Sequence, residues 1–145
     1  MTYLPFRGFK TGGAGFFLAP ALATGVTLTP SATIWTYGSW AQIVASTGAA
    51  IYIAGIFPAA IGATGGQEHS IELGTGAAAS EVAVSDVGFA QQTLAGQYPP
   101  ILLPVWIPVA AGTRIAARLA NSAANAANTL TVRLWCINQA DVVPA

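Results

Sequence analysis

Between Thr113 and Ile137 the chain alternates apolar and other side chains with a period of two, and no other feature restricts the fold so sharply. In Thr113-Arg-Ile-Ala-Ala-Arg-Leu-Ala120, Ile115, Ala117 and Leu119 share one face while Arg114, Ala116, Arg118 and Ala120 share the other. In Thr129-Leu-Thr-Val-Arg-Leu-Trp-Cys-Ile137, Leu130, Val132, Leu134 and Cys136 stand against Thr131, Arg133, Trp135 and Ile137. A helix would scatter these sets around its axis, whereas a strand puts each set on one side of a sheet. Each run is expected to be a strand with one face in a core.

The neighbouring segments suggest how these strands pair. Ile101-Leu-Leu-Pro-Val-Trp-Ile-Pro-Val109 meets the first run at Ala110-Ala-Gly112, where glycine can take the positive φ of a tight connection, so a hairpin is expected. Pro104 and Pro108 cannot donate to a ladder, so that run is expected to lie at a sheet edge or to turn its missing donors outward. If 113–120 and 129–136 pair across the 121–128 loop, Ile115 opposes Leu134, Ala117 opposes Val132 and Leu119 opposes Leu130. The other face then sets Arg114 opposite Trp135 and Arg118 diagonal to Arg133. Two like charges so placed need a counter-charge, expected from Glu81, Asp86 or a neighbouring subunit.

Upstream, strand signals recur about every ten residues: Thr33 to Tyr37, Trp40 to Ala45, Ala49 to Ile56, Glu68 to Leu73 and Glu81 to Phe89, with Gly, Ser and Pro between them. With the three C-terminal runs this predicts an all-β fold, a β-sandwich or jelly roll of about eight antiparallel strands over residues 31–145. Residues 1–30 are rich in Gly, Pro and Thr, and Phe6, Phe9, Phe16 and Phe17 lack helical spacing. They are read as an extended N-terminal arm that contacts a neighbouring subunit, the alternative being a first pair of strands in the domain's own sheet. No helix is demanded anywhere.

Charge is scarce. Charged residues make up 7% of the 145 residues and hydrophobic ones 54%, against about 25% charged in an ordinary soluble domain. So few charges leave apolar patches large enough to associate, so a homo-oligomer, a trimer by preference, is expected. The net charge of zero gives no footprint for nucleic acid. Thr11 to Gln67 carries no charge, and Trp40 to Ala63 is long enough to span a bilayer as a helix. Gln42, Ser46, Thr47 and Pro58 interrupt it and neither end carries Lys or Arg, so no membrane span is expected.

The chemistry-bearing residues do not converge. Glu68, His69 and Glu72 are the only cluster of metal-ligand or acid-base types, and on a strand His69 points away from both carboxylates. No Gly-x-Ser-x-Gly elbow supports a triad, and Thr11-Gly-Gly-Ala-Gly15 lacks the Lys-Ser/Thr end of a phosphate loop. No catalytic residue, cofactor or metal is expected. The single Cys136 falls on an inward face and reads as a small buried hydrophobe.

The runs Trp35-Thr-Tyr-Gly-Ser-Trp40, Ile71-Glu-Leu-Gly-Thr-Gly76 with Ser80-Glu81, and Leu103-Pro-Val-Trp-Ile-Pro-Val-Ala-Ala-Gly-Thr-Arg-Ile-Ala-Ala-Arg118 together resemble virion structural proteins of tailed bacteriophages. The resemblance covers about residues 31–137 and is nearest to small β-sandwich proteins that coat capsids or build tails. It implies a capsid decoration (cement) subunit, a homotrimer on the capsid surface of the virion that bridges the major capsid protein. A tail, neck or fibre-base subunit is the alternative within that class. From another class comes a carbohydrate-binding jelly-roll module, with Trp35, Trp40, Trp106 and Trp135 available to stack on sugars. On the leading reading, Phe6, Phe9, Phe16, Phe17, Arg114, Arg118, Arg133 and Trp135 are the expected subunit or capsid contacts.

Overall fold

The two alternating runs face each other across a core instead of lying side by side. In a computed structural model that describes residues 6–9, 15–21, 25–61, 67–91 and 100–144, the strands are β1 (Phe6–Phe9), β2 (Phe16–Ala19), β3 (Val26–Leu28), β4 (Ala41–Val44), β5 (Ile51–Ile61) and β6 (Gln67–Thr75). They continue with β7 (Val82–Gln91), β8 (Ile101–Val109), β9 (Ile115–Asn121), β10 (Leu130–Asn138) and β11 (Val142–Pro144). One sheet runs β2-β10-β5-β8 with β3 also on β10, a second runs β4-β9-β6-β7, and β1 pairs with β11. All these pairings are antiparallel. The architecture is a β-sandwich, as the alternation requires.

The core is what the inward faces supply. Ile115, Ala117 and Leu119 from β9 and Leu130, Val132, Leu134 and Cys136 from β10 are all fully buried, joined by Ile53 and Ile56 from β5 and by Ile71 and Leu73 from β6. Burial pushes the Cys136 thiol up to about 12, so it stays protonated and inert near neutral pH. Among the described residues no helix is long and apolar enough to cross a membrane.

Three expectations need correction. The hairpin between the 101–109 and 113–120 runs does not form, because β8 belongs to the five-stranded sheet and β9 to the other. Gly112 does take a positive φ, 77°, but the connection crosses between sheets. Buried Thr47 clamps it: its backbone binds Thr113 and Gly112, while its hydroxyl donates to the Ala110 carbonyl at 2.6 Å and accepts from the Thr113 amide. The expected register between 113–120 and 129–136 fails likewise, since β9 is flanked by β4 and β6 and β10 by β2, β3 and β5. Apolar faces can be matched laterally in one sheet or face to face in two, and period-two alternation satisfies both.

The third correction concerns Thr33 to Tyr37, which is not a strand. Trp35 has a φ of 54°, a left-handed conformation costly for a bulky residue, and a Thr36 amide to Thr33 carbonyl bond closes a turn there. The segment still runs beside β9, through bonds from the Trp35 amide to the Asn121 carbonyl and from the Gly38 amide to the Leu119 carbonyl, both 2.9 Å.

The described residues of 1–30 contribute three short strands hydrogen-bonded to the body, β1 on β11 and both β2 and β3 on β10. The run containing Pro104 and Pro108 is the edge strand β8, where prolines leave no interior ladder unpaired.

Candidate functional site

The sandwich has two outer faces, and they differ in how their charges are satisfied. On the four-stranded sheet, β9 and β6 pair Arg118 directly with Glu72. The Arg118 guanidinium is ion-paired and hydrogen-bonded to Glu72 through Nε. The same group lies 4.7 Å from the centre of the Tyr37 ring and 4.4 Å from that of Trp40. Gly74 makes room for this arrangement, since a Cβ there would come within 2.7 Å of the Trp40 ring. Just before β9, Arg114 donates from Nη1 to Glu81 Oε1 at 2.6 Å and from Nε to Gln42 Oε1 at 3.1 Å. The Glu81 side chain is only 2% exposed. Burial opposes its charge, yet backbone amides and Arg114 hold its carboxyl below the usual range.

Farther along the same sheet, Tyr37 Oη donates to Asp86 Oδ2 at 2.7 Å and Ser70 Oγ donates to Asp86 Oδ1. Burial, with Asp86 adding to it, raises the Tyr37 phenol pKa. These groups, with Trp35, Glu68, Gly88 and Ala120, line a cleft of about 600 Å³. Trp35 is 50% exposed there. The Glu68 backbone is tied on both sides, its amide donating to Ser122 Oγ and its carbonyl accepting from the Ser122 amide, both at 3.0 Å. Its carboxylate has no hydrogen-bond or ion-pair partner among the described residues.

The outer face of the five-stranded sheet is aromatic. Phe16 from β2 lies against Trp106 of β8 and Trp135 of β10, with ring centres 5.7 and 5.2 Å apart, and Trp106 also meets Tyr52 of β5 at 6.1 Å. Leu102, 66% exposed, and Phe16, 38% exposed, leave this face open at the β8 and β2 edges. Among the residues described on this face, one carries a charge, Arg133, opposite Phe57 in the β10–β5 ladder. Its guanidinium lies 5.2 Å from the Phe57 ring centre, and its buried Nε has no hydrogen-bond acceptor.

The expected contact residues are therefore divided. Arg114 and Arg118 lie on one outer face, Arg133 and Trp135 on the other, so Arg114 and Trp135 do not share a surface. Glu81, expected as a counter-charge for Arg118 and Arg133, pairs instead with Arg114, Arg118 is paired by Glu72, and Asp86 is taken by Tyr37 and Ser70. Phe16 joins the aromatic face, and Phe17, opposite Cys136 in the β10–β2 ladder, is 37% exposed at the sandwich edge. The side chains of Phe6 and Phe9 lie outside the described residues.

His69 is 1% exposed and stacks on Phe89 at 5.2 Å inside the sandwich, while Glu68 and Glu72 point outward. The described residues hold no group of three His, Cys, Asp or Glu side chains arranged to bind a metal. Two features escaped sequence reasoning: the enclosure of Arg118 by Tyr37 and Trp40, and the pairing of Arg133 with Phe57. The first brings together residues nearly eighty positions apart, so no local spacing signals it.

No family model, no curated protein and no solved structure matches this chain.

Proposed function

We propose that the protein is a virion structural subunit, a capsid decoration protein that stabilises a phage shell by bridging capsomers and acts as a homotrimer bound to the major capsid protein. The observation that supports this reading is the aromatic outer face of the five-stranded sheet, where Phe16, Tyr52, Trp106 and Trp135 cluster and Arg133 has no counter-charge among the described residues. An apolar face of this kind gains about 25 cal/mol for each Å² it hides, before the costs of association. Spread over many copies, such contacts resist internal pressure without any reaction. The carbohydrate-module alternative draws less support, because Trp40, Trp106 and Trp135 are each engaged by neighbouring side chains.

The test is to purify particles from cells expressing the protein together with its phage and to quantify it against the major capsid protein, followed by image reconstruction. A fixed stoichiometry with density over the capsid lattice is expected. Absence from purified particles, or density confined to the tail, would overturn the capsid assignment.

A further inference from the structure

From the charge inventory we infer that copies of this chain bind one another head to tail, Arg133 of one copy meeting Glu68 of the next. The inference rests on the homo-oligomeric part of the proposed function and names the surfaces it uses. Among the described side chains, Arg114 is taken by Glu81 and Arg118 by Glu72. Asp86 accepts from Tyr37 and Ser70, and Asp141 accepts from Asn138. That leaves one cation and one anion unanswered, Arg133 and Glu68.

These two cannot satisfy each other within a chain, because they stand on the outer faces of different sheets. Their surroundings are complementary as well as their signs. Around Glu68 the cleft wall is built of acceptors: the Tyr37 and Ser70 protons are both directed at Asp86, so the wall offers oxygen lone pairs and asks for donors. Its lining includes Trp35, 50% exposed, and the next residue along the chain, Ile34, is 52% exposed. Around Arg133 the face offers guanidinium donors within an aromatic surface whose edges expose Phe16 and Leu102. Each surface therefore presents apolar area together with the one charge the other lacks, which is the pattern that fixes register in an interface.

The Arg133 guanidinium has no carboxylate partner among the described residues, and its terminal nitrogens, unlike the buried Nε, are not sealed inside the chain, so a carboxylate arriving from a second copy can pair with them. Glu68 suits this role because Ser122 holds its backbone on both sides, so little freedom is lost on docking. Since the two surfaces differ, the contact is heterologous: a rotation of about 120° per contact closes a trimer, and one that does not divide a full turn builds an open stack.

The test is sedimentation velocity on the full chain over a concentration series, comparing wild type with Arg133→Glu, Glu68→Arg and the double variant. Each single variant is expected to weaken association by about 10-fold or more, and the double variant to recover it to within about 3-fold of wild type, as a restored pair should. Arg133→Gln, a milder change, is expected to weaken association in the same direction, and near-ultraviolet circular dichroism checks that every variant is folded. If folded single variants associate like wild type, or the double variant is no better than the weaker single, the Arg133–Glu68 contact is overturned while self-association stands. If wild type stays monomeric at high concentration, the homo-oligomeric reading falls with it.

Discussion

The two central arginines on the outer faces, Arg118 on β9 and Arg133 on β10, occupy similar positions in similar strands and meet opposite fates. Arg118 is enclosed by Glu72, Tyr37 and Trp40. Arg133 has one aromatic neighbour and no acceptor for its Nε. A chain with so few charges has answered Arg114 and Arg118 internally on one face, where among the described residues Glu68 alone stays open, and has left the other face apolar with Arg133 open. The first arrangement stabilises the fold, while the second leaves a surface that, on the proposed function, is completed by another molecule. On that proposal the difference separates residues that hold the protein together from residues that hold it to something else.

The comparison breaks most readily at Arg118. Replacing it with leucine leaves the Glu72 carboxylate, 14% exposed, without its cation, so a loss of about 2–3 kcal/mol in unfolding free energy is expected, below the range for fully buried pairs because both groups keep some solvent contact. Urea denaturation at low protein concentration measures it. A cost under 0.5 kcal/mol would mean that the cluster is no more than a surface ion pair. Gly74→Ala tests the same cluster from beneath by displacing the Trp40 ring, with an expected cost of about 1–2 kcal/mol and a changed tryptophan emission. Unaltered emission would show that the ring has room to move.

Arg133→Leu sharpens the contrast, since no carboxylate in the same chain is left behind. The monomer's stability should change by no more than about 0.5 kcal/mol, whereas association should fall. A monomer destabilised as much as the Arg118 variant would erase the distinction between the faces. The smallest effect is expected from acid. The folded Glu81 carboxyl lies below its ordinary value of 4.5, so the stability it contributes is fully present above that value and is lost as pH falls through the lowered one. Glu81→Gln should flatten the pH dependence of unfolding in that window, and an unchanged slope would rule out Glu81 as its source.

How much of this was legible in the sequence depends on the range of the interaction. Which side of β9 and β10 faces the core could be read from Ile115 through Leu119 and Leu130 through Cys136, because alternation is local, but burial of Ala116, Ala120 and Ile137 on the other side could not. The edge position of β8 was one of two placements that its prolines, which cannot donate, allowed. Which strands lie side by side could not be read, because the apolar faces of β9 and β10 match equally well within a sheet or across the core. Thr47, which clamps the crossing connection at 110–113 from more than sixty residues away, has no sequence signature. Thr33 to Tyr37 alternates like a strand, yet the left-handed Trp35 turns it, because its amide bonds to Asn121. The division of the arginines between two faces follows from the same missing information about sheet membership.

The central claim is that the five-stranded face is completed by another molecule and the Arg118 cluster is not. Hydroxyl-radical footprinting followed by mass spectrometry, on the assembled protein and on the same protein diluted until it dissociates, tests it most directly. Modification of Phe16, Leu102 and Trp106 is expected to drop several-fold on assembly while that of Trp40 stays constant. Equal modification of Phe16, Leu102 and Trp106 in the two states, or protection centred on Trp40, would contradict it.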